Sequence, residues 1–284
     1  MKKTCTLLLS CPDKKGIVAE VSNFIYKNDG NITHSDEHRD DEEKVFFMRI
    51  EWDLKGFKIE PERIAEKFSP IAKKFRMKYD LKFSWIIPNV CIFVSKYEHC
   101  LIDLLLRHRE GEFKCNIPLI ISNHDKLSYI GEEFNIPFYV FPKSKRSKLH
   151  QEKKELKLLK EYKINLIVLA RYMQILSPYF VKNFKNRIIN IHHSFLPSFT
   201  GKNPYLQAYK RGVKLIGATA HYVTEKLDSG PIIEQDVIRV SHRDTLEDLK
   251  RKGRDMEKIV LARAVRLHLQ NKILVYKNKT VIFD

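Results

Sequence analysis

The chain has 284 residues, of which 43% are hydrophobic and 31% charged, and a formal net charge of +17. That length suits one large or two modest domains with ample material for a core. No apolar run reaches the roughly 18–20 residues of a membrane span. The opening MKKTCTLLLSCPDKKG has too short an apolar stretch and no small-residue cleavage site for a signal peptide. Cys5, Cys11, Cys91, Cys100 and Cys115 are odd in number, widely spaced and without a C-x-x-C. This disfavours disulfides and a cysteine-built zinc site and fits a reducing, cytoplasmic setting. Membrane, collagenous, disordered and secreted disulfide-scaffold classes are set aside.

The charge is uneven. Residues 1–85 carry 17 basic and 15 acidic side chains, and residues 86–284 carry 35 and 20. A basic field favours anionic partners, but net charge alone identifies no site. No zinc-finger or RRM signature accompanies it, and KSKRSK at 143–148 reads as a loop leading into a helix. Nucleic acid is not an expected partner, nor is a membrane.

The first 85 residues alternate strand and helix. Thr4 to Ser10 reads as a strand and CPDKKG as a turn. Ile17, Val18, Val21, Phe24 and Ile25 recur at helical spacing over 16–28. Asn31 to His38 is β-compatible, and Lys44 to Asp53 alternates apolar and polar. A helix opens at Pro61 with Ile64, Phe68, Ile71 and Phe75 on one face, and Pro70 should kink or split it. Met77 to Ser84 closes as a strand. The order βαββαβ is ferredoxin-like, and Pro88-Asn89 marks the boundary, giving domains 1–85 and 86–284.

From residue 90 the pattern becomes βα repeats. Strands read at 90–95, 116–122, 136–141 and 164–170, with helices at 98–109, 125–135 and 147–162. Short, continuously apolar strands predict a mostly parallel, Rossmann-like sheet covered by helices. RIINIHH, LIGATAHYV and PIIEQDVIRV follow as strands, and 244–269 as a long helix. ILVYKNKTVIF reads as a hairpin turning at Asn278-Lys279.

Two segments can carry chemistry. A strand ending Asn190-Ile191-His192 points both polar side chains to one side, because strand residues alternate. Imidazole offers acid–base chemistry near neutral pH, and a carboxamide can donate to an oxyanion. Local sequence equally allows these groups simply to hydrogen-bond a strand end. The second segment, GATAHYVTEKLDSGP, carries Asp228 on a loop, where a carboxylate can orient a water or remain a solvated loop acid. Adjacent His192 and His193 face opposite ways on a strand, and His221 with Asp228 has no familiar ligand spacing, so no metal is expected. G-x-S-x-G, P-loop and G-x-G-x-x-G motifs are absent.

Together NIHHSFLPSFTG and GATAHYVTEKLDSGPIIEQ, with LARYMQILSP upstream, resemble the formyl-folate enzymes of the glycinamide ribonucleotide formyltransferase superfamily. The match spans essentially residues 86–284. CPDKKGIVAEVSNFIYKNDGNI resembles an ACT domain. The joined layout resembles the formyltetrahydrofolate deformylase family. The transferases of the superfamily follow their first strand with a Gly-rich loop that cradles a phosphate, whereas this chain has no glycine between Val90 and Arg109.

The resemblance implies hydrolysis of 10-formyltetrahydrofolate to formate and tetrahydrofolate, balancing one-carbon pools and supplying formate for purine synthesis. The alternative is formyl transfer to an amine. Asn190, His192 and Asp228 are implied as catalytic, and Tyr172, Met173, Gln174, Ile175 and Leu176 as the substrate-binding stretch. No cofactor is implied beyond the folate substrate. A small effector, often an amino acid, is implied at the ACT module near Asp13, Gly16 and Asn31, together with a homo-oligomer.

Overall fold

The computed structural model describes residues 2–142, 148–198 and 203–284, so most of the basic run at 143–148 lies outside the described residues. Contacts divide the chain into two units. The first runs to Ile87 and also takes Gln270–Tyr276 and Val281–Asp284; the second comprises Pro88–Leu269 with Lys277–Thr280.

The first unit follows the ferredoxin-like order: β1 (Thr4–Pro12), α1 (Ile17–Lys27), β2 (Asn31–Asp40), β3 (Val45–Asp53), α2 (Pro61–Phe75) and β4 (Lys78–Phe83). The four strands form an antiparallel sheet in the order β2-β3-β1-β4. Leu7 and Leu9 of β1 meet Ile17, Val21 and Ile25 of α1 and Ile64, Phe68 and Phe75 of α2 in one core. Burying each large side chain is worth about 1.5–3 kcal/mol.

Pro70 does not split α2, which is continuous to Phe75. It lies on the solvent face, so the carbonyl it leaves without a helical donor can meet water, while Phe68 and Ala72 hold both halves down.

β1 is buried on both faces for a reason its own periodicity does not supply. Leu8 points away from Leu7 and Leu9 and joins Phe47, Leu274, Tyr276, Val281 and Phe283 in a second cluster. The chain's last residues, assigned by sequence to the second part, therefore cluster with the first.

The second unit contains β5 (Asn89–Val94), α3 (His99–Arg109), β6 (Asn116–Ser122), α4 (Ser128–Glu133), β7 (Phe138–Val140), α5 (Lys148–Glu161), β8 (Leu166–Ala170), α6 (Pro178–Asn183), β9 (Ile188–His192), α7 (Pro204–Arg211), β10 (Leu215–Tyr222), β11 (Ile232–Arg239) and α8 (Leu246–Leu269). Its seven strands run β11-β10-β9-β8-β5-β6-β7. Pairing is parallel from β9 to β7 and antiparallel at β10 and β11. The result is a mostly parallel α/β sheet whose order reverses between β5 and β8. Ligands of such sheets bind beyond the carboxyl ends of strands near that reversal.

α4 is shorter than the 125–135 expected: a turn closed by the Ser128 N–H on the Asp125 carbonyl precedes it, and Asn135, with a left-handed φ of 55°, ends the helical path. The C-terminal strands are β12 (Ile273–Tyr276) and β13 (Lys279–Ile282), so the turn falls at Lys277-Asn278, one residue earlier than read. All five cysteines are free and buried. Among the described residues, no helix is long and apolar enough to cross a membrane.

Candidate active site

Asn190 and His192 stand at the carboxyl end of β9, on the same side of the strand. The antiparallel register sets His221 of β10 directly opposite Asn190, and Thr219 opposite His192. The Asn190 amide Nδ2 lies 3.2 Å from Nε2 of His221. The loop after β10 brings Asp228 back, with a left-handed φ of 49°. Gly230 lets this loop close, since a Cβ there would collide with the Tyr222 carbonyl.

Asp228 Oδ2 is 3.4 Å from Nδ1 of His192, and Oδ1 is 3.8 Å from Nε2 of His221. The structure thus gathers Asn190, His192 and Asp228 from two distant segments around one point. The His192 contact, chiefly a hydrogen bond, holds the Asp228 carboxyl below the usual aspartate range against the opposing effect of burial. The carboxylate is ionised at neutral pH. Nε2 of His192 is buried and has no hydrogen-bond partner among the described residues.

His221 is a further site residue that local sequence does not mark. Burial lowers its pKa. Its Nδ1 is 3.0 Å from the Tyr222 carbonyl oxygen, which can only accept, so Nδ1 carries the proton. The bare Nε2 then accepts from Asn190 and fixes which way that amide faces. Only the β9–β10 register reveals the pairing. His193 is also held neutral, pushed down to about 3 by burial and by the Arg171 charge.

The expected substrate stretch leaves the end of β8. Tyr172 and Leu176 are core residues, with the Tyr172 ring edge-on to Phe93 at 5.2 Å. Met173 and Ile175 instead stand 53% and 59% exposed, available to a ligand, and Gln174 is half-buried. The stretch is pinned at its start: the Met173 backbone N–H donates to Ser95 Oγ at 2.9 Å, and Ser95 donates to Asn123 Oδ1 at 2.6 Å. Ser95 and Asn123 follow β5 and β6, so three strand ends share one buried chain of hydrogen bonds.

A cavity of about 780 Å³ opens on Asp228, lined among others by Leu196, Pro197, Leu227 and the turn residues Asn278 and Lys279. That is ample for a drug-sized ligand. The Leu196-Pro197 peptide is cis.

Ligand atoms of His99, Cys100 and Glu257 lie within 4.8 Å of one another. Both Glu257 oxygens are already engaged, by His99 at 2.8 Å, Tyr205 at 2.5 Å and the Arg171 guanidinium at 3.4 Å. A guanidinium stands where a metal's charge would be needed, so these residues do not fit an ion.

In the first unit, the Asp13 carboxylate pairs with Arg39 at 3.1 Å, and Gly16 precedes α1 at a φ of 91°. Asn31 is exposed at the start of β2. Pro12 pairs with Val45 and Asn31 with Asp53, at opposite ends of β3. At ~3.3 Å per residue, roughly 26 Å of strand separates these ends. Within one chain the sheet therefore does not bring Asn31 to Asp13 and Gly16.

Residues 88–265 match the formyl transferase family and residues 6–70 the ACT domain family. The chain is thus an ACT module joined to a formyl transferase domain. It is 56% identical to a formyltetrahydrofolate deformylase of Synechocystis sp. over 99% of this chain and 98% of that protein. A crystal structure of a formyltetrahydrofolate deformylase from Pseudomonas syringae pv. tomato superposes with a TM-score of 0.97 at 47% identity, covering 100% of this chain and 95% of the other. A glycinamide ribonucleotide transformylase from Symbiobacterium toebii matches with a TM-score of 0.66 at 28% identity over 72% of this chain and 98% of its own. The chain belongs to the formyltetrahydrofolate deformylase family.

Proposed function

We propose that the chain hydrolyses 10-formyltetrahydrofolate to formate and tetrahydrofolate, with Asn190, His192 and Asp228 as its catalytic residues. One observation supports these roles most directly: the Asp228 carboxylate lies 3.4 Å from His192, on the strand end that also carries Asn190.

Asp228, ionised, holds the attacking water and draws a proton from it. The water oxygen bonds to the formyl carbon and builds a tetrahedral oxyanion. Asn190 has one Nδ2 hydrogen committed to His221 and a second to offer that oxyanion. His192 offers its unpartnered Nε2 as the other donor when that nitrogen is protonated. The bond from carbon to the folate nitrogen breaks as that nitrogen gains a proton, delivered by His192 directly or through water. Formate and the free amine leave. Met173 and Ile175 supply apolar surface for the flat pterin, over the core formed by Tyr172 and Leu176.

Purified protein with formyl-labelled 10-formyltetrahydrofolate and no amine acceptor tests this. Labelled formate and tetrahydrofolate are expected in equal amounts. Formate release that depends on an added amine would instead establish a transferase.

The ACT module is read as the site of a small effector, such as an amino acid. Because Asn31 and Asp13 lie beside opposite ends of β3, they share a ligand only when supplied by two copies, which fits the homo-oligomer that such modules form. A dimer by light scattering, with an amino-acid-dependent rise in Tm lost in Asp13→Ala and in Asn31→Ala, is the expected result. A cytoplasmic location, a role in one-carbon balance and formate supply for purine synthesis follow from the hydrolytic reading.

A further inference from the structure

A buried ionic cluster adjoins the candidate site and is unused by the chemistry above. The His192 ring lies 5.4 Å from that of His193, and His193 lies 5.8 Å from Tyr205. Tyr205 donates to Glu257, which is fully buried on α8 and also engages His99 and Arg171. The Arg171 guanidinium rests over the Tyr97 ring at 5.3 Å and is itself only 9% exposed.

This filling is costly. A buried ion pair often loses more in desolvation than its attraction returns. Arg171 also adopts a φ of 62°, a left-handed conformation that costs a non-glycine residue roughly 1–2 kcal/mol. Its Nη1 is buried with no hydrogen-bond partner among the described residues. Apolar side chains would fill the volume more cheaply. What a cation achieves is chemical: it occupies Glu257, an ionised carboxylate linked to the catalytic His192 through Tyr205 and His193, that would otherwise attract an incoming amine.

The same domain fold serves a glycinamide ribonucleotide transformylase, so the fold by itself does not restrict the nucleophile to water. Discrimination can be built as a clash or a like charge set against the unwanted partner. We propose that Arg171, seated on Glu257, reserves the nucleophile's position for water by excluding amines. This rests on the hydrolytic reading above.

Arg171→Gly is the direct test, because glycine takes this φ without strain. The variant is incubated with 10-formyltetrahydrofolate and glycinamide as the amine probe, and formate and N-formylglycinamide are quantified against an enzyme-free blank. In the transfer reaction the amine nitrogen bonds to the formyl carbon, the carbon–folate-nitrogen bond breaks, and the proton lost by the amine ends on the folate nitrogen. Wild type should yield formate alone. Arg171→Gly should raise the formylglycinamide share by about tenfold or more as glycinamide increases. Adding Glu257→Gln removes the carboxylate that attracts the amine and should return the share toward wild type.

The proposal is overturned by a folded Arg171→Gly that releases formate with no formylglycinamide above wild type. It is equally overturned by a folded variant that makes neither product, or by a double variant that transfers as well as the single one. Should Arg171→Gly not fold, Tyr97→Ala at a half-exposed position withdraws the guanidinium's platform and is judged by the same product ratio. Wild-type protein that releases no formate would overturn the hydrolytic reading instead.

Discussion

Asn190 and His221 are paired across β9 and β10, and the pairing orients the Asn190 amide. The Tyr222 carbonyl accepts a hydrogen bond from the Nδ1–H of His221, so Nε2 is left as an acceptor and only the nitrogen of the Asn190 side chain can face it. A carboxamide free to flip would present an oxygen to the developing oxyanion half of the time.

Asn190→Ala should therefore lower kcat by about 10²–10³, the usual effect of losing one oxyanion donor. His221→Phe, which leaves Asn190 present but unoriented, should have a smaller effect, about tenfold to a hundredfold. His221→Gln can restore an acceptor and recover part of the loss. Steady-state kcat for the three variants checks the order. Equal losses in His221→Phe and His221→Gln would remove the orienting role.

Asp228→Asn should reduce turnover by about 10²–10⁴, as expected for loss of a general base. Because the His192 contact lowers the Asp228 pKa, its active carboxylate form persists below the ordinary aspartate range and is lost only as pH falls through the depressed value. Carbon-13 NMR titration of the Asp228 carboxyl should show this lowered midpoint. In His192→Gln the midpoint should move up.

His193 links the site to acid stability. Its folded pKa of about 3 lies below its ordinary value of 6.5, so the unfolded chain binds the extra proton between these limits. Stability then falls as pH drops through that window, by at most ~1.4 kcal/mol per pH unit for one proton. His221, also depressed, acts in the same direction. Urea unfolding between about pH 7 and pH 4 should give a shallower slope for His193→Gln than for wild type.

Gly253 makes room for the Tyr205 hydroxyl that engages Glu257. Gly253→Ala should displace the ring and strip a hydrogen bond from a buried carboxylate, costing roughly 1–3 kcal/mol or more. Thermal unfolding tests this. Tyr205→Phe should lose the same hydrogen bond, and the double variant should fall short of additivity.

The ferredoxin-like order, the βα repeats, and the Asn-x-His and Asp228 segments are legible in the chain because each rests on local periodicity or short spacing. Alternation along β9 places Asn190 and His192 on one side whatever surrounds them. Other features depend on groups far apart in sequence. The β9–β10 register assigns His221 to Asn190. The second face of β1, through Leu8 and Phe47, draws Leu274 and Phe283 from the far end of the chain. Met173 and Ile175 stay exposed because Tyr172 and Leu176 are taken by the core. The pairing of Arg171 with Glu257 spans two elements with no common motif. Such contacts are selected by packing and by the cost of leaving buried polar groups unmatched, and both quantities exist only once the chain has closed on itself.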